Sequence, residues 1–473
     1  MSHYPPKSTT AHQNLSDQHQ QIKQKYGLVR GLGLLEATAL NMTNMVGFGP
    51  FVTIPLIIAA IGGPQCMLGW LAGTILSICD GMVWSELATA MPGSGGSYLF
   101  LKESFKTSRV AGLLPFLFIW QFMVSGPLEV GSSYIGFAQY IAYFFPSWGP
   151  WRTRLLVVGL GVLTITLLYR QIRAIGKLMI LLWVGMLLTV GSIIVSGLIH
   201  ILHFGPGPAL DFPPGAFHFS TGFALGLGRA MLIAMFDFLG YYSVCYVGGE
   251  LRNPERNMPR AIFYSVIAVA LIYSVMNFCF ISVVPWREAM QSKLIVSEYM
   301  QRLYGGWAGS TVTILVLWTA FSSSVPLLLG YSRIPYAAAL DGHFFKPFAR
   351  LHVKQFPAFS LLVMGILSTV AGLINLEWVI SAMLTGRILI QFIAQIFAVH
   401  YLRQYHPEIE RPFKIWLYPL PNAIALLGWS YIFLTSGSAF ILFSILTMAA
   451  GVLAFWLWRR SAGLPAFSAA EGA

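Results

Sequence analysis

Two short stretches of this chain hold residue types from which a small-molecule site can be built. In Val46-Gly47-Phe48-Gly49-Pro50, two glycines and a proline interrupt an apolar run. Glycine accepts turns that other residues resist, and proline lacks an N–H but suits the first turn of a new helix. The pattern predicts one half-helix over 33–45 and a second over 50–61. Free N–H groups at the start of 49–52 would favour an anion such as a carboxylate. The second stretch, Phe236-Asp237-Phe238-Leu239-Gly240, sets a carboxylate and a glycine in another apolar run. Unwound carbonyls there, with Asp237, would favour an ammonium group. A zwitterion fits a site made of both.

Plainer readings compete. A Gly-x-Gly also arises where two helices cross closely, and Asp237 could be neutral and bonded to nearby backbone. Against this, a carboxylate deep in a bilayer costs at least about 2.5 kcal/mol, so function is the default reading. Glu129, Asp80, Arg229 and Arg387 also fall within apolar runs. If buried, each needs a partner or a proton. Arg387 paired with Glu129 would merely fix helix register. Alternatively, Glu129 joins Asp237 in lining the site, where either could recognise a cation or take up a coupling proton. Ser322, Ser323 and Ser324 offer the neutral oxygens that sodium prefers, although serines in membrane helices commonly bond their own backbone. The reading expects H+ rather than Na+ as the coupling ion.

The elements that must position these residues are membrane spans. Hydrophobic residues make up 56% of the 473 and charged residues only 10%, with a mean hydropathy of +0.68. A soluble domain carries roughly a quarter charged residues. A span needs roughly twenty apolar residues. Such runs occur near 33–60, 66–90, 110–143, 153–170, 175–200, 222–248, 261–284, 308–333, 357–375, 378–402, 417–435 and 437–458. Basic residues cluster in alternate connections, around 102–109, 170–177, 252–260, 333–354, 403–414 and 459–460. The other side holds Arg152, Arg154, Arg287, Lys293 and Arg302. By the positive-inside rule, about twelve spans leave both termini cytoplasmic. The net charge of +12 therefore reports orientation and not nucleic-acid binding. Glu36 and Glu86, near the inner face, are expected to pair with loop Arg and Lys.

Cys66, Cys79, Cys245 and Cys279 lie in apolar runs without metal-ligand or disulfide spacing and read as packing residues. Residues 1–30 and 461–473 read as cytoplasmic tails, the first of them disordered. No cofactor or metal is expected. No His-Glu-x-x-His, phosphate loop or Gly-x-Ser-x-Gly appears, so the reading is not of an enzyme. A channel would need a continuous polar stripe.

Val46–Val52, Glu86-Leu87 with Pro92–Tyr98, Glu250–Ile262, Ser332-Arg333 with Asp341-Gly342, and His406-Pro407 with Arg411–Lys414 follow one another along the chain. Together they resemble the amino acid–polyamine–organocation permeases. The helix-one glycine motif is similar to Val46–Val52. Glu86-Leu87 with Pro92-Gly93-Ser94-Gly95-Gly96-Ser97-Tyr98 resembles the entry to helix three. Glu250 to Ile262, containing Arg252-Asn253-Pro254-Glu255-Arg256, resembles the signature after helix six. Ser332-Arg333 with Asp341-Gly342, and His406-Pro407 with Arg411-Pro412-Phe413-Lys414, complete the set. The sixth helix and C-terminal loop also resemble the plant and protozoan polyamine and cationic amino acid branch.

The resemblance implies an all-α polytopic fold, a five-plus-five inverted repeat of the LeuT type with broken helices 1 and 6. It implies a core over 31–402 (halves 31–200 and 222–402) and two further helices over 403–460. It further implies alternating-access transport of amino acids or polyamines, by proton coupling or exchange, in a plasma (inner) membrane. The alternatives are a non-transporting amino acid sensor of the same fold and a sodium-coupled solute symporter. Gly47, Phe48 and Gly49 would bind the carboxylate through backbone N–H groups. Val46, Phe236, Phe238, Gly240 and Tyr241 would complete the substrate site, with Phe48, Phe236, Phe238 and Tyr241 as its aromatic lining. Pro50 and Asp237 depart from the family pattern, and oligomeric state is left open.

Overall fold

The computed structural model describes residues 32–461, apart from 94, 109, 170–171 and 353–355, and without the side chains of 172–180, 183 and 250. Both tails, Ser94, Arg109, Arg170, Lys354 and the side chains of Arg173, Lys177 and Glu250 thus lie outside the described residues.

The described chain is helical throughout, its one strand-like contact being an isolated bridge between Leu32 and Leu251. In lipid, where backbone groups find no water, this is the expected solution. In chain order the helices are α1 (Leu34–Met45), α2 (Pro50–Ile61), α3 (Met67–Ala90), α4 (Ser97–Ser104), α5 (Leu113–Ile141), α6 (Pro150–Leu168), α7 (Ile172–Phe204), α8 (Thr221–Phe238) and α9 (Pro254–Val283). There follow α10 (Trp286–Ala289), α11 (Ile295–Tyr304), α12 (Gly306–Tyr331), α13 (Arg333–Leu340), α14 (Ala358–Ala371), α15 (Leu376–Arg387), α16 (Ala394–Tyr405), α17 (Leu420–Thr435) and α18 (Ser438–Ser461). Among the described residues, nine helical stretches are long and apolar enough to cross a membrane; the bent pair α1–α2 makes a tenth. The shorter apolar helices α14 and α17 stand where the ninth and eleventh runs were expected.

Small residues set the helix crossings. Gly69 and Gly73, one turn apart on α3, face Ala230 and Ala234 on α8. A Cβ on Gly69 would lie 2.8 Å from that of Ala230, and one on Gly73 3.3 Å from that of Ala234. Without a hydrophobic force between helices in lipid, such close approach is what holds them. The outermost helix, α18, buries only 17% of its most apolar window, leaving Leu442, Leu446 and Leu453 to face lipid.

At the end where the described chain begins and ends, the buried carboxylates Glu86 and Asp341 are paired. Glu86 accepts from Arg403 Nε at 2.8 Å and Nη2 at 2.6 Å, and from the Ile415 N–H at 2.9 Å; Arg411 lies 3.8 Å away. Lys102 pairs with Asp341 at 2.8 Å. Burial, with Lys102 beside it, lowers the pKa of His343, whose Nδ1 lies 2.7 Å from the Tyr98 hydroxyl. Two expectations are corrected here. Among the described residues Glu36 pairs with no loop base; it accepts the Gly33 N–H at 3.0 Å, capping its own helix. Arg229 needs no buried partner, because α8 turns it outward.

Replacing Gly69 by leucine should push α8 off α3 and cost about 1–3 kcal/mol. A fall in thermal unfolding temperature of the detergent-purified chain checks this, with Gly159→Leu, at an open position on α6, left unchanged.

Candidate functional site

The first break is where the glycines and proline predict it. α1 ends at Met45, α2 starts at Pro50, and the two axes differ by 57°. Val46 N–H still bonds Met42 O at 2.7 Å, but Gly47 N–H turns to Met45 O at 2.8 Å. The Phe48 N–H leaves the helix and donates to Ser323 Oγ on α12 at 3.2 Å. The Gly49 N–H, at the mouth of α2, makes no hydrogen bond among the described residues. Both glycines are required by close approach. A Cβ on Gly47 would lie 2.9 Å from Ser323 Oγ, and one on Gly49 would lie 2.2 Å from Asp237 Oδ1.

The second half-helix is locked in place. Pro55 inside α2 has no N–H to offer the Phe51 carbonyl, and Tyr140 of α5 donates to that carbonyl at 2.8 Å instead. The Phe48 ring fills the notch left by Gly136 on α5, edge-on to Tyr140.

The sixth span breaks slightly later than its sequence suggests. Phe236, Asp237 and Phe238 complete the last turn of α8, and the chain unwinds over 239–242 before a 3₁₀ segment, Ser243–Glu250. Gly240 has φ 114°, a left-handed value that favours glycine, and its Cα abuts Asn44 at the end of α1. The two breaks therefore touch. Asn41 Nδ2 donates to Tyr241 O at 2.6 Å and its Oδ1 accepts the Val244 N–H at 2.9 Å. Asn44 Nδ2 donates to Ser243 Oγ at 2.8 Å. The Tyr273 hydroxyl on α9 lies between them, 2.6 Å from Met45 O and 3.1 Å from Asp237 O. None of Asn41, Asn44, Thr53 and Tyr273 was singled out from sequence, although an amide inside an apolar run, as at Asn41, is a legible signal.

Asp237 is buried at the mouth of α2. Its Oδ2 accepts from Thr53 Oγ1 at 2.6 Å, while Oδ1 has no hydrogen-bond partner. The carboxylate thus stands at the positive end of α2, beside Gly49, with unused acceptor capacity. Phe236 presses its ring against Gly49.

Other expected site residues are placed elsewhere. Phe238 packs on Trp70 and Tyr273 at 6.0 and 5.6 Å, and the Tyr241 hydroxyl donates to Asp80. Both rings belong to the core, turned from the break. Phe48 seals α2 to α5 instead of lining an aperture. Glu129 faces Arg387 at 2.7 Å and accepts from the Tyr331 hydroxyl at 2.6 Å, while Arg387 Nε donates to Ser125 Oγ at 3.0 Å. Tyr242, in the break, is near enough to feel both charges. Of the serines, Ser323 abuts the first break. Ser324 bonds Phe321 O at 2.8 Å, and Ser322 bonds Trp318 O at 2.6 Å. Among the described residues no group of His, Cys, Asp and Glu could hold a metal.

Opposed helix breaks inside an all-α polytopic bundle, with free backbone groups and a buried acid, define the class of LeuT-type carriers. Comparison with known sequences narrows it. The chain matches the amino acid permease family over residues 32–466 and belongs to that family. It is 27% identical to the mouse (Mus musculus) large neutral amino acids transporter small subunit 2 over 424 residues, covering 86% of this chain and 76% of that one. It is 26% identical over 457 residues to the serine/threonine exchanger SteT of Bacillus subtilis, covering 93% and 97%. It is 25% identical over 420 residues to the mouse Asc-type amino acid transporter 1, covering 87% and 77%. The protein is an amino acid transporter and not an enzyme.

Glu129→Ala should leave Arg387 buried and unpaired, costing about 3–5 kcal/mol. Glu129→Leu with Arg387→Leu should recover most of that loss in thermal unfolding of the purified chain.

Proposed function

We propose that this permease carries a neutral α-amino acid by alternating access, with its zwitterion held between the two breaks. The substrate carboxylate approaches the Gly49 N–H at the mouth of α2, and the ammonium group approaches the backbone carbonyls of the unwound stretches at 46–49 and 239–242. The observation that carries this reading is the contact of the breaks themselves, Gly240 against Asn44 and Gly49 against Asp237.

Charge balance argues for a neutral side chain. Glu129 and Arg387 neutralise each other, so among the described residues no cation for an anionic side chain and no second free carboxylate stands by the breaks. A polyamine bears several ammonium groups, whereas Asp237 is the one site carboxylate with an unpaired oxygen among the described residues. The names of the relatives, large neutral amino acids and serine/threonine, accord with this.

Asp237 is the coupling residue in this reading. An ionised carboxylate beside Gly49 repels the substrate carboxylate that the same helix end attracts. A proton on Oδ1 removes the repulsion and turns that oxygen into a donor. Sodium at Ser323 is the weaker alternative, since its oxygen already serves Phe48 N–H and Thr319 O.

The movable part is legible in burial. α2 buries eight of its twelve residues and α1 three of twelve, so α1 is the half that swings. The halves 31–200 and 222–402, the added helices over 403–460, cytoplasmic termini and residence in the plasma membrane form part of this proposal.

The test is a proteoliposome panel of L-leucine, L-serine, L-arginine and spermidine, with and without a pH gradient and sodium. Wild type should take up L-leucine or L-serine, stimulated by an inward proton gradient, and exclude spermidine. Asp237→Asn should keep uptake but lose at least tenfold of the pH-gradient stimulation. Unchanged stimulation in the variant would refute the coupling role, and preferential spermidine uptake would refute the substrate class.

A further inference from the structure

A third buried carboxylate has no part in that reading. Asp80, midway along α3, is fully buried, and its partners are three neutral donors. Oδ2 accepts from Trp84 Nε1 at 2.9 Å and from the Tyr241 hydroxyl, and Oδ1 accepts from Trp429 Nε1 at 3.1 Å. These donors come from α3 itself, from the sixth-span break, and from α17, a helix beyond the ten-helix core.

Each donor is also tied down elsewhere. The Tyr241 carbonyl accepts Asn41 Nδ2, so the residue is pinned at its backbone from α1 and at its ring from α3. The Trp84 indole stacks on Tyr242 with centroids 4.3 Å apart and planes at 12°. Trp429 stacks on Phe392 at 3.9 Å and 10°, in the π-helical stretch Ile388–Ile393 that follows Arg387. Through one carboxylate, two consecutive side chains of the break are fixed, and α17 is drawn in behind them.

The chemistry calls for a carboxylate here. Three donors need three acceptor lone pairs around a shared pair of oxygens, which an ionised carboxylate supplies. Asparagine would turn an NH2 toward an indole N–H or a hydroxyl.

We propose that Asp80 is the positioning residue of the sixth-span break: it holds Tyr241 and Tyr242 so that the break keeps its unwound shape, and it makes α17 a working part of the site. Its effect on transport rests on the reading that the amino acid binds at the breaks. Its effect on the shape of the break does not.

Three variants each remove one donor and keep an aromatic ring: Trp84→Phe, Trp429→Phe and Tyr241→Phe. Neither tryptophan belongs to the substrate site. Two readouts are taken on the full-length chain. The first is KM and maximal rate for L-serine and L-leucine uptake into proteoliposomes. The second, which needs no substrate, is the rate of maleimide labelling of Cys245 with Cys66, Cys79 and Cys279 replaced by alanine. Cys245 is buried one turn beyond Tyr241.

Each variant should raise KM about three- to tenfold, as for loss of one ordinary hydrogen bond, with maximal rate per folded molecule within about twofold. Cys245 labelling should accelerate several-fold. Trp429→Phe added to Tyr241→Phe should change KM by less than the product of the single effects, since both act through one carboxylate. Unchanged KM and unchanged labelling would overturn the proposal, as would losses explained wholly by less folded protein. If the wild-type chain moves neither amino acid, the substrate reading fails and labelling alone decides: acceleration supports Asp80 as the anchor, and an unchanged rate rejects it.

Discussion

In lipid a backbone N–H or C=O without a partner costs several kcal/mol, so a helix can be broken there only where protein takes over its hydrogen bonds. Everything distinctive about this chain follows from meeting that cost twice in one place. The break at 46–49 and the break at 239–242 lie against each other, and a small group of side chains supplies the lost partners. Asn41, Tyr273 and Ser323 serve the first and second breaks together, and Tyr140 serves the carbonyl freed by Pro55. Among the described residues they leave the Gly49 N–H and one oxygen of Asp237 unserved, and the proposed function gives these to the substrate and the proton.

The supporting scaffold divides by charge as well as by helix. Fixed charges at depth are either cancelled, as in Glu129 with Arg387, or surrounded by neutral donors, as at Asp80. Among the described residues, only Asp237 is left with an unmet carboxylate oxygen in the site. That asymmetry sets Asp237 apart from the other two acids, and no single burial value would have shown it, since all three are buried.

The first break was legible because its cause is local: two glycines and a proline at fixed spacing stop a helix regardless of its neighbours. The sixth was legible only approximately. Gly240 marks the unwound point, but Phe236 to Phe238 stay helical because α8 still has carbonyl acceptors one turn back. Pairing of Glu129 with Arg387 could be raised as an alternative from opposite charge alone. The orientation of the aromatics could not be read. In a helix apolar on every side, periodicity does not say which face meets the site, and so Phe238 and Tyr241, expected in the lining, proved to belong to the core. Thr53 and Tyr273 escaped notice because their partners lie across the fold: Thr53 meets Asp237 across 184 positions in the chain, and a hydroxyl in an apolar run usually bonds its own helix.

The central claim is that one amino acid is held by both breaks at once. Hydrogen–deuterium exchange of the purified chain, with and without saturating L-serine or L-leucine, tests it without any mutation. The account predicts that the amino acid slows exchange in the peptides spanning 45–52 and 239–245 together, with little change in α6 or α18. Slowing in neither segment, or protection confined to a distant part of the bundle while the same amino acid is transported, would contradict it.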